Sequence, residues 1–137
     1  MGDSSNRPRV LLHGFTGSPA SFESSLPGLE ADVTVVAPTL PGHLEVPAPV
    51  DLNDARSRLR TSIEDAGPPV HIVGYSLGGR LGMHYTLRFP EHVCSATFLG
   101  SRPGLPDSTA RADRRRADSG LAELLQNGGL EPFLARW

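Results

Sequence analysis

Apolar positions along this chain alternate between short continuous runs and helical spacing. Continuous apolar runs predict buried strands, and apolar residues three or four apart predict amphipathic helices. The predicted strands are 10–12, 32–37, 70–74 and 95–99, and the predicted helices are 20–26, 52–66 and 77–89. Because strands and helices alternate, we predict an α/β fold with a mostly parallel sheet of about four strands and flanking helices.

The pattern changes at residues 101–104, where Ser-Arg-Pro-Gly is followed by a charged sequence with helical character. We therefore predict a core over 1–100 and a separate helical segment over 101–137, with Asp107 or Ser108 as the N-cap of its helix. The chain has 137 residues, of which 38% are apolar. That is enough to bury one core.

Composition excludes several classes of function. The net charge of −2 supplies no field for nucleic acid or a membrane surface, and no apolar run is long enough to span a bilayer. A secretion leader is not evident in the polar first nine residues, so we expect a cytoplasmic protein. The single cysteine, Cys94, is interpreted as a small buried residue of a strand. No ligand cluster or phosphate-binding motif points to a metal or cofactor.

The sequence Gly74-Tyr75-Ser76-Leu77-Gly78 places a G-x-S-x-G motif between a predicted strand and a predicted helix. Glycines on both sides of the serine allow a sharp turn and close packing of helix on strand. This context predicts a nucleophile elbow, in which Ser76 is the catalytic residue and has a strained backbone. A chance occurrence of the motif is the alternative.

A second glycine turn, His13-Gly14-Phe15-Thr16-Gly17, follows the first strand. The backbone amides of Phe15 and Leu77 are the predicted oxyanion donors, although a plain strand-to-helix turn would use the same residues. Both turns should meet at the carboxyl edge of the sheet. We therefore expect strand 10–12 to lie between strands 32–37 and 70–74, with strand 95–99 outside the last.

Three segments carry a resemblance to a known family. They are 12–17, 74–80, and Pro103-Gly104-Leu105 followed by Arg111, Arg114, Arg116 and Asp118. Together they resemble the 2-succinyl-6-hydroxy-2,4-cyclohexadiene-1-carboxylate synthases of menaquinone biosynthesis, which belong to the α/β-hydrolase superfamily. The resemblance runs from Val10 to Trp137 and matches the N-terminal portion of that family. It implies a truncated α/β-hydrolase fold with a partial helical cap at 101–137.

The resemblance also implies a reaction and a site. The activity would be a lyase reaction that eliminates pyruvate from 2-succinyl-5-enolpyruvyl-6-hydroxy-3-cyclohexene-1-carboxylate, without a cofactor or metal. Ser76 would be a base activated by a histidine and an acid. The carboxylated substrate would be bound by Tyr75, Arg80, Arg114 and Trp137. Each arginine has a simpler interpretation as a solvated helix residue, and Trp137 has one as a packing residue.

The family's acid and histidine would follow later strands, beyond the portion matched here. The five histidines of the chain, His13, His43, His71, His84 and His92, are not expected to act as the base. We therefore expect this chain alone to be inactive and to self-associate through an exposed edge of strand 95–99. Two alternatives remain open: a serine esterase or C–C hydrolase, and a non-catalytic fragment that binds a carboxylated ligand or a complementary chain.

Overall fold

A computed structural model describes residues 6–25, 27 and 33–137 of the chain. The strands are β1 (Arg9–Leu12), β2 (Val35–Val36), β3 (Val70–Tyr75) and β4 (Val93–Leu99). The α-helices are α1 (Leu52–Ala66), α2 (Leu77–Arg88), α3 (Ser108–Gly128) and α4 (Leu130–Arg136), and short 3₁₀ helices cover Pro19–Ser25 and Pro90–His92.

All four described strands pair in parallel, in the order β2-β1-β3-β4. This confirms the predicted parallel α/β sheet and the predicted strand order. Leu12 of β1 pairs with Gly74 of β3, and Gly74 in turn pairs with Phe98 of β4. The carboxyl ends of these three strands therefore lie side by side, and the loops that follow them share one edge of the sheet.

Three sequence-based expectations need correction. Strand β2 has only two residues, because Pro38 follows closely and lacks the N–H that a ladder needs; the predicted start at Asp32 lies outside the described residues. The helix expected at 20–26 is a 3₁₀ helix at 19–25, and residue 26 lies outside the described residues. Cys94 is exposed, so its interpretation as buried was wrong. It lies on β4, one of the two outer strands of the described sheet.

One face of the sheet is covered by α1 and α2, which meet it in a single apolar core. Helix α1 begins at the N-cap Asp51, whose side chain accepts a hydrogen bond from the Asp54 amide, and ends at Gly67 in the left-handed conformation. Both ends are thus fixed by local chemistry. The core is formed by Val10, Leu12, Leu40, Ala55, Leu59, Ile63, Val70, Ile72, Leu81 and Tyr85.

Tyr85 of α2 is fully buried, and its hydroxyl forms a hydrogen bond of 2.8 Å with Nδ1 of His92. Burial raises the pKa of Tyr85 to about 12, so the hydroxyl keeps its proton. The ring of Phe89 packs at 4.9 Å from the Tyr85 ring. This cluster closes the core at the end opposite the turns that follow β1 and β3.

After Pro103 the chain forms a second compact unit, in which α3 and α4 pack on each other. Asp107, one of the two N-cap residues that the sequence predicted, is the N-cap of α3 and accepts hydrogen bonds from two backbone amides. Phe133 is buried, and the ring of Trp137 stacks on it at 5.9 Å. Whether this unit is a functional cap stays a prediction. Among the described residues, no helix has both the length and the apolar composition that a membrane crossing requires.

Candidate active site at the turn after β3

The turn between β3 and α2 holds Ser76 in a strained backbone conformation. Its φ is +51° and its ψ is −109°, a region that residues with a side chain seldom occupy. The strained conformation predicted from G-x-S-x-G is therefore confirmed. Ser76 is half-buried, and its side chain makes no capping hydrogen bond to α2. The Ser76 hydroxyl therefore does not cap the amino-terminal end of α2.

Hydrogen bonds from the neighbouring strand and helix fix both peptide groups of Ser76. Its amide donates to the Leu99 carbonyl at 2.9 Å, and its carbonyl accepts from the Arg80 amide at 3.0 Å. The Ser101 hydroxyl also donates to the Ser76 carbonyl, at 2.9 Å. The serine is thus held between the end of β4 and the first turn of α2.

Glycine at position 78 allows that first turn to lie directly on the end of β1. A Cβ atom at Gly78 would lie 2.2 Å from the Leu12 carbonyl oxygen, a contact that no side chain can make. The Gly78 amide instead donates to the His13 carbonyl at 3.0 Å. The start of α2 is therefore tied to the loop that carries Phe15.

The ring of Tyr75 covers the loops that follow β1 and β4. A Cβ atom at Gly14 would lie 3.0 Å from a ring carbon of Tyr75 and 3.6 Å from Cβ of Ser76. On the other side, one at Gly100, where φ is +61°, would lie 3.5 Å from the same ring. Tyr75 is 57% exposed. It therefore lies beside Ser76 with one face open to solvent.

His13 is buried and stabilises the loops that follow β1 and β2. Its Nδ1 donates to the Gly14 carbonyl at 2.8 Å, and its Nε2 accepts from the Leu40 amide at 3.1 Å, which requires a neutral ring. Burial lowers the pKa of His13. The hydrogen bond to Gly14 raises this pKa in part, and the charge of His43, with its ring 4.8 Å away, lowers it further. His43 in turn donates through Nε2 to the Phe15 carbonyl.

The predicted oxyanion donors lie on the two tied segments. Leu77 is the first residue of α2, so its amide has no partner within the helix. Phe15 follows Gly14, which approaches Tyr75 and Ser76. Convergence of the two amides on one ligand atom stays a prediction.

Arg80 lies one helical turn beyond Ser76 and is exposed. It takes part in none of the ion pairs found among the described residues, which leaves its guanidinium available to a ligand. The amino-terminal end of α2 carries partial positive charge as well. Tyr75, Ser76, Leu77 and Arg80 are therefore brought to one end of α2.

Arg114 and Trp137, the other predicted ligand residues, belong to the second unit. Arg114 binds both oxygens of Asp118 through Nε, at 2.8 and 2.9 Å. Trp137 lines a groove of about 600 Å³ between α3 and α4, together with Arg116 and Arg136, and Arg114 is not among its lining residues. Within this unit the two predicted residues therefore do not share one groove.

Every histidine of the chain has a ring nitrogen on a group other than Ser76. His13 and His43 bind backbone atoms, His84 donates to the Pro103 carbonyl at 3.1 Å, and His92 forms a hydrogen bond with the Tyr85 hydroxyl. His71 bonds the Ser95 hydroxyl at 2.7 Å and lies five residues before Ser76 on an extended strand, roughly 16 Å away. Within the described ranges, no group of three or more His, Cys, Asp or Glu could hold a metal.

A strand, a tight turn at a serine and a helix on a parallel sheet are the arrangement found in the α/β-hydrolase fold. The family model described as the alpha/beta hydrolase family matches residues 10–137. The chain belongs to this family.

Within it, the chain is similar to proteins that carry the name of one synthase. It is 29% identical, over 93% of its length, to the 2-succinyl-6-hydroxy-2,4-cyclohexadiene-1-carboxylate synthase of Escherichia coli O1:K1, of which it covers 52%. It is 32% identical, over 99% of its length, to a Bacillus subtilis (strain 168) protein to which the same activity is ascribed, again covering 52%. The resemblance seen in the sequence is confirmed.

A solved structure agrees. MenH from S. aureus superposes with a TM-score of 0.86 at 22% identity, over 99% of this chain and 53% of that one, which supports the fold. The chain thus spans about half the length of these relatives.

Sequence reasoning missed Ser101 and underrated His13. Ser101 lies in the predicted boundary segment 101–104, yet its hydroxyl donates a hydrogen bond to the Ser76 carbonyl. Two features of the sequence could have indicated Ser101. It is a polar residue two positions after a strand end, and the glycine at 79 is not required by the G-x-S-x-G motif. The Leu40 amide bond of His13 spans 27 residues, and no local pattern predicts it.

We predict that Gly78→Ala destabilises the fold by 3 kcal/mol or more, on the order of a severe core defect. The added Cβ would meet the Leu12 carbonyl at 2.2 Å, and backbone atoms cannot yield as a side chain can. Gly120→Ala is the matched control: nothing lies within 4 Å of its Cβ position, and alanine favours a helix by ~1 kcal/mol. Urea unfolding measures both. Equal effects of the two substitutions would contradict the close approach.

We predict that the free energy of unfolding falls as the pH drops below about 6.5, the ordinary pKa of histidine. Below this pH, His13 takes up a proton in the unfolded chain but not in the folded chain, where burial lowers its pKa. Acid therefore favours the unfolded state. The limiting slope for one group is roughly 1.4 kcal/mol per pH unit. His13→Gln, which keeps an acceptor for the Leu40 amide, should flatten this dependence. Parallel curves for the two proteins, from urea midpoints between pH 5 and 8, would refute it.

Proposed function

We propose that this chain carries the serine side of a 2-succinyl-6-hydroxy-2,4-cyclohexadiene-1-carboxylate synthase site, that of a lyase that eliminates pyruvate from its enolpyruvyl precursor. The observation that carries the proposal is the strained turn at Ser76, with φ of +51° and Arg80 one helical turn beyond it. Backbone strain persists where the surroundings enforce it, and it concentrates at active sites. The similarity to proteins with this synthase name supports the same reaction.

In this reaction Ser76 is the base, at the tip of a nucleophile elbow. The elimination removes a proton from the substrate ring and breaks the bond between a ring carbon and the enolpyruvyl oxygen. The leaving group departs as the enolate of pyruvate and takes up a proton on carbon to become pyruvate. Negative charge develops on the substrate as the proton leaves. The amides of Phe15 and Leu77 are the proposed donors to that charge, each worth about 3 kcal/mol in a dry site.

Arg80 is the proposed carboxylate-binding residue nearest to the serine. Its guanidinium can bind a carboxylate through two parallel N–H groups, and the amino-terminal end of α2 adds to the attraction. Tyr75, with its exposed face beside Ser76, supplies a flat wall for the substrate ring. Arg114 and Trp137 are proposed to add contacts from the second unit; for Arg114, this requires release of its bond to Asp118.

The proposed chemistry also needs a base that activates Ser76. Among the described residues, none of the hydrogen bonds found for the five histidine rings goes to Ser76. We therefore propose that residues 1–137 bind the carboxylated ligand but do not turn it over, and that an acid and a histidine outside these residues complete the site. A cytoplasmic location remains an expectation from the sequence.

We further propose that β4 mediates association between copies of the chain. It is one of the two outer strands of the described sheet, and its seven residues include no charge and no proline that would discourage pairing. Leu99 is 54% exposed, and Thr97 is exposed as well. An open edge of this composition favours strand pairing.

We predict that Arg80→Ala weakens the binding of 2-succinylbenzoate at least tenfold, since a hydrogen bond to a charged group is worth about 1.5–3 kcal/mol. This aromatic dicarboxylate resembles the reaction product in its succinyl and carboxylate groups. Isothermal titration calorimetry on the 137-residue chain measures it. Arg88→Ala, which removes the same charge from the last turn of α2, is the control and should bind as the unaltered chain does.

The same proteins are then assayed for pyruvate release from the synthase precursor and for hydrolysis of p-nitrophenyl acetate, and both rates should equal background. Equal binding by the Arg80→Ala and unaltered chains, or no binding at all, would refute the proposed ligand. Rapid ester hydrolysis insensitive to Arg80→Ala would favour a serine esterase or C–C hydrolase. Pyruvate release by the chain alone would show that it holds its own base.

We predict that the chain sediments as dimers or larger species and that Thr97→Lys shifts it toward the monomer. A lysine on an outer strand hinders strand pairing, because its charge would have to be buried. Ser119→Lys, on an exposed position of α3, adds the same charge away from the sheet and should change nothing. Sedimentation velocity in a reducing buffer removes any contribution from Cys94. A monomer at all concentrations would rule out the edge interaction.

A further inference from the structure

We propose that Ser101 is a positioning residue that sets the strained backbone of Ser76 and aims the Leu77 N–H at the site. The inference rests on the proposed function, in which Ser76 reacts and the Leu77 amide is an oxyanion donor. Its evidence is a closed set of hydrogen bonds around the turn, none of which involves a side chain other than that of Ser101.

The Ser101 hydroxyl lies between two carbonyl oxygens, that of Ser76 at 2.9 Å and that of Leu99 at 3.0 Å. The Leu99 carbonyl also accepts the Ser76 amide at 2.9 Å. Because a serine hydroxyl has one proton, the Ser101 side chain joins the Leu99 and Ser76 carbonyls through one bifurcated hydrogen bond. The ring of contacts runs from the Ser76 amide to Leu99, to Ser101 and back to the Ser76 carbonyl.

These bonds act on both torsions of Ser76. The bond to Leu99 fixes the peptide plane before Ser76, and the bond from Ser101 fixes the plane after it. The Arg80 amide also bonds the Ser76 carbonyl, but that is the ordinary first bond of a helix and forms at any N-cap backbone conformation. Ser101 is therefore the contact to the second plane that originates outside α2.

The second plane matters because it contains the proposed donor. The carbonyl of Ser76 and the N–H of Leu77 belong to one planar trans peptide group, in which they point in opposite directions. A bond that fixes the carbonyl therefore fixes the direction of the N–H. A hydroxyl that donates to the carbonyl also polarises the same group, which makes its N–H a stronger donor.

Gly79 supports the same assignment. A Cβ atom at Gly79 would lie 2.0 Å from Oγ of Ser101 and 2.8 Å from the Gly74 carbonyl oxygen. Position 79 lies outside the G-x-S-x-G motif, so the motif does not account for this glycine. The space that Gly79 leaves is occupied by the Ser101 hydroxyl, which could not otherwise reach the Ser76 carbonyl.

The test compares ¹⁵N-labelled chains with Ser101→Ala and Ser95→Ala. The three-bond coupling between the amide proton and Hα of Ser76 reports its φ, and the amide proton shift of Leu77 reports polarisation of the second plane. Ser101→Ala should change that coupling toward the value of a right-handed residue and move the Leu77 signal upfield. Ser95→Ala removes the Ser95–His71 hydrogen bond at the other end of β4 and should leave both signals unchanged.

Ser101→Thr keeps the hydroxyl and should restore both signals. Wild-type signals in Ser101→Ala, or the same changes in Ser95→Ala, would overturn the proposal. If Ser101→Ala does not fold by circular dichroism, Ser101→Cys carries the comparison, with intermediate shifts expected from its weaker S–H donor. Failure of both variants to fold would also overturn it, because Ser101 would then support the whole core. The readout needs no ligand, so it is independent of whether 2-succinylbenzoate binds.

Discussion

The contact on which the site depends is the approach of Gly78 to the end of β1. Its amide bonds the His13 carbonyl at 3.0 Å, and a side chain there would overlap the Leu12 carbonyl. This contact places the first turn of α2 against the loop that carries Phe15. Ser76 must then leave β3 and enter α2 in a single residue. The positive φ of Ser76 follows from that short path, and the hydrogen bond to the end of β4 stabilises it.

The loops around this contact are held by bonds of long sequence separation. His13, at the end of β1, accepts from the Leu40 amide in the segment after β2. In that same segment the Pro47 carbonyl accepts from Arg58 of α1, at 3.1 Å. The loop after β1 is thus supported by the loop after β2, and that loop by a helix of the core. A buried neutral histidine suits this role, because one nitrogen donates while the other accepts.

Charge at the site comes from α2 itself. The amino-terminal end of the helix and Arg80 both favour an anion, and Arg80 forms no ion pair among the described residues. Arg114 differs, since Asp118 already occupies it. Among the described residues, the Arg80 guanidinium is therefore outside any ion pair, whereas the Arg114 guanidinium is engaged by Asp118. An exposed ion pair such as Arg114–Asp118 stabilises by about 1 kcal/mol or less.

The sequence by itself determined the parallel α/β sheet, its strand order and the strained Ser76, because apolar periodicity and the glycines at 74 and 78 are local signals of strand, turn and helix. It also limited the N-cap of α3 to Asp107 or Ser108, and in the structure the Asp107 side chain bonds amides two and three residues away. Only the tertiary structure decided the roles of Ser101 and His13 and the exposure of Cys94. Their partners lie 25 and 27 residues away for the first two, and the third depends on which strand is outermost. Such relations arise when separate elements pack, and no short-range pattern encodes them.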